Sequence, residues 1–312
     1  MENVTYYFGS TSHQEPLNKL VSDPLLKQLV TYFFERKEQE VMLRQIKTDI
    51  PTDSNIELYL DKLIKNNLLE RKNRRYTLTF PIYSERTFQI TVPNSITTSI
   101  HRIIEEDANL SYFIFGEWLW AVLFDEETED YFFGVDHSLN NSPNFLNKVE
   151  VGDSTLHFVS IFRENQMPFD LANYFSLLSK GQAIPKQFEP LQKLIGDVDL
   201  NYFIPQVQKL LRSVKRNKSV SKKINIFQEA LLLTQDLKKS EEGKLILAVP
   251  MIEKDAPSEA IQEILEQLKV ELCALWATIE NRNQRLFFKK QLYCSLFDDC
   301  LTQINSFSYF KR

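Results

Sequence analysis

Apolar residues recur every three or four positions from Pro24 to Arg36, at Leu25, Leu26, Leu29, Tyr32 and Phe33, which predicts an amphipathic helix. Asp23 ahead of Pro24 supplies its cap and a first-turn proline. From Val41 to Lys47, Leu43 and Ile46 face one way and Pro51 then forces a turn, so a short second helix is expected. Ser54 and Glu57 stand at capping-box spacing before a third helix striped by Ile56, Tyr59, Leu60, Leu63 and Ile64, ending near Asn66 and Asn67. Leu68 and Leu69 open a strand, Arg71 to Arg75 make a polar tip, and Tyr76, Leu78 and Phe80 alternate with threonines on the return. Three helices and a hairpin in this order are those of a winged helix, expected within residues 1–90.

Residues 91–165 form an aromatic-rich segment. Tyr112, Phe113, Phe115, Trp118, Trp120, Phe124, Tyr131, Phe132 and Phe133 surround an acidic run, Asp125 to Asp130. Two buried strands joined by an acidic turn are the simplest construction, with a short core helix over Trp118 to Phe124 as the alternative. Thr155 to Arg163 reads as a strand with Leu156, Phe158, Ser160 and Phe162 on one side and His157, Val159 and Ile161 on the other. Residues 166–240 turn helical, at Phe169 to Leu178, Gln187 to Ile195 and Tyr202 to Val214. Residues 241–312 begin with a short strand, Lys244 to Val249, followed by two apolar stripes, one from Ile261 to Ile279 and one from Leu286 to Ile304. These predict a helical hairpin or one long broken helix, covered by the chain's own core or by the same stripes in a homodimer. The expected fold is helix-rich α+β: N-terminal winged helix, mixed α/β middle, C-terminal helical hairpin.

The net charge of -5 gives no general attraction for polyanions, so any contact with nucleic acid has to come from a local patch. Two patches qualify. The hairpin tip sets Arg71, Lys72, Arg74 and Arg75 against Glu70 alone, and Lys62 and Lys65 of the third helix stand nearby in sequence. Against the reading, Asp53, Glu57 and Asp61 leave that helix slightly anionic, and Leu58 is expected on its exposed face. The second patch, Leu200 to Gln228, has seven basic residues and no acidic one; Lys209, Arg212 and Arg216 share a helix face with Lys215 beside them. From His101 to Asp136 ten acidic residues face one basic residue, so that stretch should repel nucleic acid.

Several chemistries find no support. The closest of the seven glycines, Gly181 and Gly196, are fifteen residues apart, so neither a P-loop nor a dinucleotide fingerprint can be written. Cys273, Cys294 and Cys300 lack zinc-type pairing and read as buried free thiols. His137 and His157 have no partner at metal-ligand spacing, and the acidic run lacks the spaced ligands and glycine of a calcium loop. No metal, cofactor or catalytic residue is expected, nor an enzyme. The absence of an 18-residue apolar run and of a signal-peptide start points to the cytoplasm and to no membrane contact.

The strings VMLRQIK at 41–47, NLLERKNRRYTLTFP at 67–81, LANYF at 171–175, IGDV at 195–198 and IFQEAL at 226–231 resemble a domain-of-unknown-function family of streptococci and related bacteria. The resemblance runs from about residue 20 to 237. It implies a cytosolic bacterial protein with a winged-helix-like N-terminal part, and brings no activity, cofactor or catalytic residue. The sequence therefore leads to a DNA-binding, transcription-regulating protein whose partner is double-stranded DNA, with a protein-interaction adaptor that uses the same module for docking as the alternative.

Overall fold

The computed structural model describes residues 4–10, 13–36, 39–84, 90–125, 130–136, 143–216, 225–253, 257–302 and 304–312, which mix helices with small sheets. They divide into two compact units, each built from non-consecutive stretches. The first holds Met1–Thr91, Glu126–Pro143 and Ile279–Phe288, and the second Val92–Asp125, Asn144–Thr278 and Lys289–Arg312.

In the first unit the chain runs β1 (Val4–Gly9), α1 (Gln14–Val21), α2 (Pro24–Glu35), β2 (Val41–Met42), α3 (Leu43–Asp49), α4 (Ile56–Lys65), β3 (Leu69–Lys72), β4 (Arg75–Leu78) and β5 (Ile82–Ser84), and later adds β6 (Tyr131–Asp136). Asp23 caps α2 by accepting from the Leu25 amide at 2.9 Å, with Pro24 in the first turn as expected. The cap of α4 differs from the expected Ser54–Glu57 box. Asn55 holds that position, accepting from the amides of Glu57 at 3.1 Å and Leu58 at 3.3 Å, while the Glu57 carboxylate turns to Lys47. An ammonium in reach outcompetes the return bond to a backbone amide.

Strands β2, β4 and β3 form an antiparallel sheet in that order, with Val41 opposite Tyr76 and Lys72 opposite Arg75. A second sheet, ordered β1-β6-β5, turns Tyr6, Phe8, Phe132 and Ile82 onto the same core as Leu26, Leu29, Ile46, Leu60 and Leu63. Its other face stacks Tyr7 on Phe133 and meets Phe287 through Tyr83 and Phe133. An aromatic-rich sheet thus forms the base on which the three-helix head is fixed.

The second unit contains α5 (Asn94–Glu106), α6 (Leu110–Phe113), a π-helical turn (Ile114–Trp118), α7 (Leu119–Phe124), β7 (Leu146–Gly152), β8 (His157–Arg163), α8 (Leu171–Ser179), α9 (Glu189–Ile195), α10 (Leu200–Lys215), α11 (Ile226–Leu233), β9 (Leu237–Lys239), β10 (Leu245–Leu247), β11 (Met251–Ile252), α12 (Glu259–Trp276) and β12 (Ser306–Lys311). Helix α13 (Arg282–Cys300) contributes to both units. The central sheet is ordered β11-β12-β8-β7. Phe158 and Phe310 point from it into the core under α8 to α11, whereas Val159 and Tyr309 point the other way.

Two expectations are corrected here. The aromatic run 110–124 is helical throughout, so the alternative of a core helix over Trp118 to Phe124 holds and extends back to Leu110, replacing the first of the two strands; a stretch apolar on every side satisfies a buried helix as well as a strand. The C-terminal helices do not form a hairpin: α12 lies along α5, with Ser95 donating to Glu271 at 3.1 Å. The isoleucine stripe of α5, Ile96, Ile100 and Ile103, supplies the apolar cover that α12 needs.

Candidate nucleic-acid interface

The hairpin β3–β4 closes through Asn73 and Arg74, whose φ values of 51° and 65° are those of a type I′ turn. Asparagine tolerates the left-handed region, but arginine there carries a steric penalty of about 1 kcal/mol. That backbone holds the Arg74 side chain at the apex. Arg71, Lys72, Arg74 and Arg75 are all exposed, and their charges are unequally committed. Lys72 pairs with Glu70 at 2.8 Å and Arg75 pairs with Glu40. Arg71 lies over the Tyr76 ring at 5.5 Å, and Arg74 has no ion-pair partner among the described residues. The tip therefore offers two guanidiniums without an ion pair among the described residues, where the sequence counts four cations.

Beside the hairpin, α4 exposes Glu57, Leu58, Asp61, Lys62 and Lys65. The negative balance expected for this helix is corrected by α3. Lys47 binds Glu57 directly and holds its carboxyl below the usual range, and the charge of Arg71 acts in the same direction. With Glu57 neutralised, Asp53 and Asp61 remain against Lys62 and Lys65, so the balance is even. Arg71 is close enough to Glu57 to act on it, so the hairpin and the start of α4 belong to one surface. Two apolar side chains also stand in water, Leu58 at 60% exposure on α4 and Met42 at 49% on β2. Lys47 and Glu40 are the residues that sequence reasoning left out. Lys47 sits on the short α3, whose position against α4 follows only once the helices are packed, and Glu40 reaches Arg75 through the pairing of β2 with β4.

Arg212, Lys215 and Arg216 lie at the exposed end of α10, in the second unit, so the basic residues do not come from a single compact body. Lys215 approaches Glu253 at 3.6 Å. Lys218, Lys222, Lys223, His137 and the acidic residues 126–129 lie outside the described residues. His157 Nδ1 is 2.8 Å from Glu150 Oε1 without the alignment of a hydrogen bond. The cysteines are unpaired; burial pushes the Cys294 thiol up to about 11 and the Cys300 thiol up to about 12, which keeps both protonated. No group of three His, Cys, Asp or Glu side chains suited to a metal occurs among the described residues, and none of the described helices is long and apolar enough to cross a membrane.

The second unit holds a different charge cluster. Glu117, carried by the π-helical turn, meets Lys148 at 3.3 Å and Lys311 at 2.6 Å; Glu150 meets the same two lysines, each at 2.9 Å. Tyr309 donates to Glu117 at 2.5 Å, and a Cβ at Gly116 would collide with that hydroxyl. Glycine is required at 116 for this close approach. Two carboxylates and two ammonium groups cancel one another, leaving no net charge for a ligand.

A family model described as a domain of unknown function (DUF1803) matches residues 5–111, which span the first unit from β1 through β5 and continue into α5 and the start of α6. The match ends at residue 111, where the sequence resemblance was expected to reach about residue 237. No curated protein and no solved structure matches the chain.

Proposed function

We propose that residues 24–78 form a winged-helix module that binds double-stranded DNA, and that the chain acts as a DNA-binding regulator, without catalysis, in the cytoplasm. The element order α2-β2-α3-α4-β3-β4 and the strand order β2-β4-β3 support the fold reading. The observation that carries the function is the apex of the β3–β4 turn. Arg74 is presented there on a left-handed backbone, free of any ion pair among the described residues, with Arg71 one strand position behind the turn-flanking Lys72. Counterion release by such cations is the main source of affinity for a phosphate backbone, and an apex arginine suits a narrow groove.

Titrating a labelled 30-base-pair duplex at increasing salt tests the proposal. A steep fall in affinity is expected, with at least a tenfold further loss when Arg71, Lys72, Arg74 and Arg75 are all replaced by alanine. A protein-docking role is favoured by a separate observation, the exposed Leu58 and Met42. If duplex binding is absent, or is insensitive to salt and to the four substitutions, docking replaces DNA as the reading.

A further inference from the structure

A groove of about 600 Å³ opens in the first unit between α1 and α4, lined by residues that include Pro16, Leu20, Tyr59, Lys62 and Lys65. Its volume falls within the range of small-molecule sites. The floor is apolar: Leu20 and Tyr59 are buried at 7% and 6% exposure, and Pro16 forms part of the wall. The charged groups around it are not equally available. Lys19 is taken up by Glu15 at 2.7 Å, and Asp23 is engaged as the cap of α2. Lys62 and Lys65 have no ion-pair partner among the described residues. The Tyr59 hydroxyl makes no aligned hydrogen bond, although the Asp23 carboxylate lies close enough to join burial in raising its pKa. Its oxygen is shielded from solvent beside that carboxylate and is not open to a ligand.

We propose that this groove binds a small organic carboxylate with an apolar body, its carboxylate lying toward Lys62 and Lys65, its apolar part on Leu20 and Pro16. An inorganic phosphate would leave the apolar floor uncovered, and a neutral hydrophobe would leave two ammonium groups unanswered. A cationic ligand would meet both lysines. The combination of floor and rim selects an amphipathic anion.

Isothermal titration of the full chain with 2-naphthoate, in parallel with 2-naphthalenemethanol and 2-naphthylmethylammonium, tests the site without any nucleic acid. Saturable binding of the naphthoate alone is expected, weakened at least tenfold by Lys62→Gln together with Lys65→Gln. Arg74→Ala should leave it unchanged. The proposal is overturned if the alcohol binds as well as the carboxylate, if no saturable binding occurs, or if the lysine variant, folded by its thermal transition, binds naphthoate like the parent. A chain that ignores DNA can still pass, and one that binds DNA can still fail, so this site and the DNA reading stand or fall separately.

Discussion

At the apex of the hairpin in the first unit, Arg74 stands in water with no ion-pair partner among the described residues. On β7 of the second, Lys148 has only 11% of its side chain exposed and lies between Glu117 at 3.3 Å and Glu150 at 2.9 Å. A charge count treats these two cations alike. Physically they are opposites. An exposed arginine on a strained turn contributes little to stability and leaves its field available to a partner, whereas a lysine enclosed by carboxylates is part of what holds the sheet and is closed to ligands. The availability of a cation, and not its presence, separates a binding surface from a structural one.

The largest effect expected within this comparison concerns a buried acid with no cation beside it. Burial, opposed by the Thr234 hydroxyl and reinforced by nearby Asp170, pushes Asp236 up to about 7 from an ordinary 3.8. A folded-state pKa above the unfolded one means that stability is greatest below about pH 4 and is lost as pH rises through 7. Asp236→Asn should therefore stabilise the protein at pH 8 by up to about 4 kcal/mol and have almost no effect at pH 4. Urea midpoints across that range would check it; a gain that does not grow with pH would show that Asp236 is not buried as a strained anion.

Glu150 carries the opposite sign. Desolvation alone would raise it, but hydrogen bonds from Lys311 and Lys148 outweigh burial and bring it down to about 2. Its contribution is present above the ordinary 4.5 and is lost as pH falls through about 2. Removing Lys148 at pH 7 leaves two half-buried carboxylates sharing Lys311 alone, so Lys148→Ala should cost about 3 kcal/mol in urea unfolding, with the deficit shrinking in acid. A loss below about 0.5 kcal/mol would place Lys148 in the same class as the hairpin cations.

The smallest effect is expected at the hairpin. Arg74→Gly relieves the left-handed strain and should raise stability by about 0.5–1 kcal/mol, while weakening duplex binding as much as Arg74→Ala does. Thermal unfolding and duplex titration of the two variants separate backbone from charge. If glycine gains stability and alanine does not, the turn geometry is sustained at a cost by the arginine.

Much of the first unit was legible in the sequence. The Asp23 cap, the α2 and α4 stripes and the alternation of Tyr76, Leu78 and Phe80 are local signals, and they correspond to the elements observed. What escaped was set by distant neighbours. The neutralisation of Glu57 by Lys47 depends on how α3 meets α4, and the cap of α4 moved with it to Asn55. The run at 110–124 had no period with which to tell helix from strand. Strand β12 was overlooked because Ser306 to Lys311 follows a helical stripe within a few residues, yet it pairs with His157 to Phe162 of β8, with Phe310 and Tyr309 on opposite faces. At the candidate interface, residue types were readable and commitments were not: four tip cations are visible in the text of the chain, and only packing shows that Lys72 and Arg75 are already engaged.

The discontinuity of the two units bears on how the chain matures during synthesis. Arg282 donates to the Asp130 carbonyl 152 positions earlier, and Lys311 reaches Glu150 across 161. A ribosome delivering residues in order will have released the helical head long before Phe287 arrives to cover the aromatic sheet beneath it. The open edge of β8 waits longer still for β12. Until then an unpaired strand stands ready to join a neighbouring nascent chain. Completion of the two sheets accordingly waits for α13 and β12, and the interval before they emerge is when a holdase would have the most to protect.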